Sequence, residues 1–284
     1  MVNALTVDVE DYFHVSAFEG CIERKNWPDM PRRVKQNTEK VLDILSEFSF
    51  QATFFVLGLV AEEFPELVKR MAAEGHEIAC HSYAHRRITR MSPGEFAEDI
   101  DRARKLLQDI SGQEVRGFRA PSYSITQKSI WALDLLIEAG FSYDSSIFPI
   151  CHDLYGIPDA PRHPHRIVRE KGEIFEFPPT TLPFSLLGKQ VNLPVSGGGY
   201  LRLLPVSCIS AAFRRLNRNG RACMLYFHPW EIDPGQPRIN APVKSRFRHY
   251  LNLSRTEGKL RHLFERHRFA PMGTVLDSEV YADA

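Results

Sequence analysis

Asp8, Glu10 and Asp11 crowd the opening run Leu5-Thr-Val-Asp-Val-Glu-Asp11, and His81 and His85 follow the run His76-Glu-Ile-Ala-Cys80. Arg119 stands in Gly117-Phe-Arg-Ala-Pro-Ser-Tyr123, and His228 in Met224-Leu-Tyr-Phe-His-Pro-Trp230. Carboxylates, a histidine pair, an arginine and a late histidine are the parts that metal-assisted hydrolysis requires. Each follows a short segment that reads as a strand. In a barrel, strand ends converge on one face, so residues this far apart in sequence can share one site.

The His-x-x-x-His spacing is weak alone in a chain with 11 histidines. Its context adds to it: a strand precedes the pair, and Ser82-Tyr83-Ala84 lets the chain turn so that both rings face one point. Ser82 stands where a helix-borne metalloprotease site has glutamate. Three carboxylates on an apolar strand are costly to bury unless a cation or an arginine compensates them. Strand alternation sends Asp8 and Glu10 to one face and Asp11 elsewhere, unless the strand has already ended. One carboxylate then serves a metal and another serves as base. Two histidines and a carboxylate leave positions open, as catalytic zinc sites require. The competing structural readings are a capped strand end at the carboxylates, an ion pair at Arg119, a turn cap at Asp144 and a packed core histidine at His228. Gly197-Gly-Gly199 reads as a tight turn or as a place of close backbone approach to a sugar. Tyr12, Phe13, Tyr123, Tyr200 and Trp230 suit either sugar stacking or the core.

The elements that must position these residues alternate in the manner of a parallel α/β architecture. Strands are predicted at 5–8, 52–57, 76–80, before Arg119, at 141–144, 173–178 and 222–227. Helices are predicted near 37–48, 60–74 with an early break at Pro65, 129–139 and 205–219. The clearest helix starts at Ser92-Pro-Gly-Glu95, where Ser92 caps, Pro93 takes the first turn and Glu95 completes a capping box. Phe96, Ile100, Ala103, Leu107 and Ile110 form its buried stripe. Residues 149–205, rich in proline, histidine and glycine, read as an elaboration of the same domain with short β segments. From residue 241 a basic tail carries Leu251, Leu260, Leu263 and Phe264 on an amphipathic helix, packed on the outside of the domain.

With 284 residues, 43% of them hydrophobic, the chain can build a substantial core. An α/β barrel of this length forms one domain. A net charge of +1 argues against nucleic acid as a dominant partner. Five scattered cysteines without a Cys-x-x-Cys pair indicate neither a disulfide framework nor a zinc ribbon. No secretory leader is visible and no apolar run of about 18 residues could span a bilayer, so a cytoplasmic protein is expected.

These motifs resemble the polysaccharide deacetylases, with their NodB-like homology domain, and most nearly the branch linked to exosortase and exopolysaccharide gene clusters. The resemblance implies a distorted (β/α) barrel over residues 1–240, with 241–284 as a C-terminal extension. It implies metal binding by His81 and His85 and a base at Asp8. The family's second aspartate falls on Val9, which leaves Glu10 or Asp11 as the third ligand. Arg119-Ala-Pro-Ser-Tyr123 is similar to the Arg-x-Pro-Tyr motif, with Ser122 in the register of the tyrosine and its backbone N–H as oxyanion donor. Arg119 would orient the base. Tyr226-Phe-His228 supplies the acid, His228, and Asp144 resembles the residue that orients it. Tyr123 and Trp230 are candidate substrate contacts. The implied activity is removal of N-acetyl groups from a glycan in exopolysaccharide biosynthesis, with one divalent metal, foremost zinc, and a loose association with the assembly machinery. Two other readings are hydrolysis of a cyclic amide or ureide on the same barrel, and non-catalytic carbohydrate binding.

Overall fold

The computed structural model describes residues 1–186 and 189–278. Its strands are β1 (Val2–Val9), β2 (Thr53–Val56), β3 (Glu77–Cys80), β4 (Gly117–Phe118), β5 (Tyr143–Asp144), β6 (His165–Arg169), β7 (Gly172–Glu176), β8 (Thr181–Leu186), β9 (Lys189–Pro194), β10 (Met224–Phe227) and β11 (Arg268–Ala270). Nine of them form one sheet in the order β10-β1-β2-β3-β4-β5-β7-β6, with β11 also paired to β1, while β8 and β9 form a separate hairpin. All pairings in the large sheet are parallel except β6 with β7.

Strand parity divides the core. Leu5, Val7 and Val9 of β1, with Phe54, Ile78 and Leu225, face the helical layer. Ala4, Phe55, Ala79, Met224 and Tyr226 face the interior of the barrel. Because successive side chains alternate, Asp8, Glu10, His81, Arg119 and His228 continue the interior rows beyond the apolar stretch. The distorted barrel expected from the sequence is what this mostly parallel sheet forms. Its closure is irregular: Met224 N–H donates to Thr180 Oγ1 at 2.7 Å and Tyr226 N–H to Ser196 O at 2.9 Å. Gly197 bridges Tyr226 there, and a Cβ on it would lie 1.8 Å from the Tyr226 carbonyl oxygen. The glycine run thus permits backbone approach, to β10.

The outer layer holds α1 (Val34–Glu47), α2 (Gly58–Glu63), α3 (Pro65–Ala73), α4 (Pro93–Ser111), α5 (Ala132–Glu138), α6 (Gly198–Leu203), α7 (Val206–Arg218), α8 (Val243–Tyr250), α9 (Leu253–Phe264) and α10 (Met272–Leu276). The capping box of α4 forms as the sequence predicts: Ser92 accepts from Glu95 N–H, and Glu95 accepts from Ser92 N–H at 2.8 Å. The basic tail is more than an outer helix. Leu260, Leu263 and Phe264 of α9 do pack on the core, but β11 then adds in parallel to the first residues of β1. Tail and barrel therefore share one sheet. Residues 279–284 of the expected extension lie outside the described residues.

Candidate metal and proton-transfer site

Glu10, His81 and His85 are buried, and their ligand atoms lie within 4.8 Å of one another. The turn between the histidines holds Ser82 and His85 at positive φ (68° and 52°), which swings both rings to one point. His81 Nδ1 meets the Arg119 carbonyl at 2.8 Å, so this nitrogen carries the proton and Nε2 keeps a free lone pair. Burial pushes the His81 imidazole down to about 4, which keeps it neutral, as a metal ligand must be. Oε2 of Glu10 lies 2.7 Å from His85 Nε2 yet is left without a hydrogen bond. Its other oxygen accepts from Trp230 Nε1 at 3.2 Å. Burial would raise the Glu10 carboxyl, but the facing His85 and His228 hold it far below the usual range. Two buried imidazoles and an orphaned carboxylate oxygen fit a divalent cation.

Asp11 points away from this cluster. Its carboxylate accepts from the N–H groups of Tyr12, Arg33 and Val34 at 2.8 to 3.0 Å and so anchors the start of α1. Of the two third-ligand candidates, Glu10 is the one brought to the histidines.

Asp8 stands beside the cluster. Arg119, itself fully buried, donates through Nη1 to Asp8 Oδ1 at 2.5 Å and to Thr6 Oγ1 at 2.9 Å, and through Nη2 to Ser145 Oγ at 3.0 Å. Asp8 Oδ2 is 3.8 Å from His228 Nε2, and Glu10 Oε1 is 3.5 Å from the same nitrogen. His228 Nδ1 sits 3.0 Å from Glu231 Oε2, and Arg202 Nε donates to Glu231 Oε1 at 2.6 Å. Burial opposes charge on His228, but the carboxylates of Glu10, Glu231 and Asp8 together raise the imidazolium to about 9.

Two sequence expectations require correction here. Asp144 does not touch His228: Tyr143 points into the barrel, so Asp144 points to the opposite side of the sheet. There it accepts from Ser146 Oγ at 2.5 Å and neighbours Glu176, its register partner on β7. Glu231 occupies the place given to Asp144. Its signal was in the sequence, because His228-Pro-Trp-Glu231 repeats the cap-Pro-x-Glu spacing of Ser92–Glu95, and His228 caps the following 3₁₀ turn. Arg202, 29 residues before Glu231, left no comparable signal. The second correction concerns Trp230, which is only 3% exposed and cannot offer a face to a sugar. It stacks between His228 and His249, with centroids at 5.2 and 4.3 Å. Tyr12, Phe13 and Tyr123 are buried as well.

Ser122 and Tyr123 both take positive φ (56° and 52°), a strained pair of the kind that clusters at functional sites. Ala120 N–H is engaged by Ser146 Oγ and Tyr123 N–H by Ala120 O, whereas Ser122 N–H has no partner among the described residues.

Fold and donor set define an α/β barrel with a buried two-histidine, one-carboxylate cluster at its strand ends. Residues 26–141 match the polysaccharide deacetylase family, and residues 145–277 match a domain of unknown function, DUF3473. The chain thus carries a region similar to the polysaccharide deacetylases, followed by a region that matches DUF3473. It is 36% identical over 98 residues to a peptidoglycan-N-acetylglucosamine deacetylase of Bacillus cereus, a match that takes in 34% of this chain and 36% of that protein. The chain therefore spans little more than a third of that relative's length. A Mycobacterium smegmatis protein assigned to the polysaccharide deacetylases superposes with a TM-score of 0.61 at 20% identity, over 96% of this chain and 88% of its own. The Puue allantoinase superposes with 0.60 at 14% identity, over 99% and 92%. These likenesses show a shared fold.

Proposed function

We propose that this protein is a metal-dependent hydrolase that removes N-acetyl groups from an N-acetylated glycan. The observation that carries the reading is the meeting, at one barrel end, of the Glu10–His81–His85 cluster with the Asp8–Arg119 pair and the His228–Glu231 pair. A divalent ion held by Glu10, His81 and His85, foremost zinc, would supply Lewis acidity towards a carbonyl and towards water. Asp8, held in place by Arg119, takes a proton from the attacking water at Oδ2, the oxygen that Arg119 leaves free. Ser122 N–H donates to the oxygen that gains charge as the carbonyl becomes tetrahedral. His228, oriented through Nδ1 by Glu231, gives the Nε2 proton to the departing amine. The C–N bond breaks, and acetate and a free amino sugar leave.

Acetate release from N-acetylated oligosaccharides, measured on metal-stripped and zinc-reloaded protein, tests the reading. Acetate is expected only after reloading, and Asp8→Asn should abolish it at unchanged metal content. An Asp8→Asn variant that still turns over would remove Asp8 as base.

The allantoinase likeness favours one second reading, hydrolysis of a cyclic amide or ureide, since it is as extensive as the deacetylase one. The sequence match over residues 26–141 weighs for the glycan. A ring-opened carboxylate as product, with no acetate, would decide for the second reading. An exopolysaccharide intermediate remains the substrate we favour within the glycans.

A further inference from the structure

On α8, Val243 is 81% exposed and Phe247 61% exposed, while His249 on the opposite face is buried. Val243 and Phe247 are four residues apart and share one stripe. Lys244 and Arg248 flank that stripe on one side and Arg246 on the other, all exposed. None of the three pairs with a carboxylate among the described residues, although most other cations of the molecule do. An amphipathic helix on a globular protein normally turns its apolar side inward. This one also turns an apolar stripe outward and rims it with free positive charge.

The stripe has neighbours of the same kind. On the β8–β9 hairpin, Phe184 and Val191 are cross-strand partners and both are exposed, as is Leu193 beside them. The loop at 149–158 joins the two places. Asn192 on the hairpin donates to the Pro149 carbonyl at 2.8 Å, and His152 on the loop faces the charges of Arg248 and Lys244. Leu154 of this loop is exposed too. The loop also reaches inward, where Tyr155 packs near Tyr123 at 6.3 Å. Exposed apolar side chains scattered singly need no explanation; a contiguous set calls for a partner.

We propose that α8, the 149–158 loop and the β8–β9 hairpin form a docking face for an anionic lipid surface, beside the mouth of the candidate site. Charge complementarity selects this occupant. Apolar side chains flanked by lysine and arginine suit the boundary between acyl chains and anionic headgroups. With a net charge of only +1, the whole chain has little general attraction to an anionic surface, so binding must come from a local face. The inference does not depend on which bond the site hydrolyses.

Co-sedimentation of the 284-residue chain with vesicles is the test, comparing phosphatidylcholine alone with phosphatidylcholine containing phosphatidylglycerol. Binding is expected to the anionic vesicles at low salt, to weaken as salt rises, and to be slight with the neutral ones. Each of Lys244→Glu and Arg248→Glu should weaken it about fivefold or more, and Phe247→Asp should abolish it. Val168→Asp, at an exposed apolar site on β6, should leave it unchanged; thermal unfolding of each variant checks that the fold is kept. No sedimentation with anionic vesicles, or binding indifferent to the α8 substitutions, overturns the proposal. So does a dimer that Phe247→Asp dissociates, because the face then belongs to a second copy.

Discussion

The two matched regions contribute different chemistry to one site. Residues 26–141 hold His81 and His85, the donors of the candidate ion, and Arg119, which fixes the neighbouring carboxylate. Residues 145–277 hold His228, Glu231 and Arg202, a relay of alternating charge whose end faces Asp8 and Glu10. β1, which lies outside both matches, pairs with β2 of the first region and with β10 and β11 of the second, and its two interior carboxylates meet both. In the proposed reaction the first region would supply two of the ion's three donors and the second the acid that protonates the leaving amine. A deacetylase region alone would present half of this arrangement, so the DUF3473 region is part of the candidate site and more than an appendage.

The largest expected effect separates the two carboxylates at the hinge of this division. Glu10→Gln should reduce bound metal to a small fraction of an equivalent and activity with it, because a neutral amide replaces the anionic donor. Asp11→Asn should retain full metal and instead lower stability by about 1–2 kcal/mol, as loss of a helix-start acceptor does. Metal content by atomic absorption beside urea unfolding reads both. Loss of metal in Asp11→Asn with Glu10→Gln unaffected would reverse the assignment. Next in size is Glu231→Gln, which should keep metal at one equivalent while lowering kcat roughly 10–100-fold, the usual cost of a lost orienting partner. Metal loss in this variant would break the division between ion and proton.

How far the sequence disclosed each region follows from how each is built. In β1 and the first region, regular alternation carries much of the information: the parity of β1, carried one residue past its end at Val9, places Asp8 and Glu10 together while leaving Asp11 beyond the strand, open as a ligand in the sequence, and the Ser92 capping box marks the start of α4. The resemblance to a known family supplied the roles. In the second, pairing is irregular. The barrel closes through Thr180 and Ser196, outside any long strand, and no period in the sequence points to them. Asp144, between the two regions, was misplaced because the resemblance gave it a role at the site, while its short strand turns it to the other side of the sheet. Arg202 comes from a separate helix, and only packing reveals which carboxylate it meets. Phe247 and Val243 have helical spacing, but spacing does not tell an inward stripe from an outward one.

The smallest effect asks whether the second region also holds a loop of the first. Asp144 and Glu176 lie side by side and fully buried on β5 and β7, and Ser146 links Asp144 to the N–H of Ala120, two residues before Ser122. Burial and the Asp144 charge raise the Glu176 carboxyl well above its usual range, so the pair holds a proton to higher pH than an isolated carboxyl would. A folded-state pKa above the unfolded value means that the native state binds the extra proton. The associated stability is complete below the unfolded value of about 4.3 and is lost as pH rises through the folded one. Glu176→Gln fixes the neutral form. Its unfolding free energy in urea should match the wild type below about pH 4 and exceed it increasingly as pH rises, by up to about 1.4 kcal/mol for each pH unit until the folded pKa is reached. If Ala120 is held through this pair, the wild type should also lose kcat/KM relative to Glu176→Gln over the same interval. Parallel stability curves would show that the two carboxyls do not share a proton, and parallel activity with diverging stability would confine the pair to the fold.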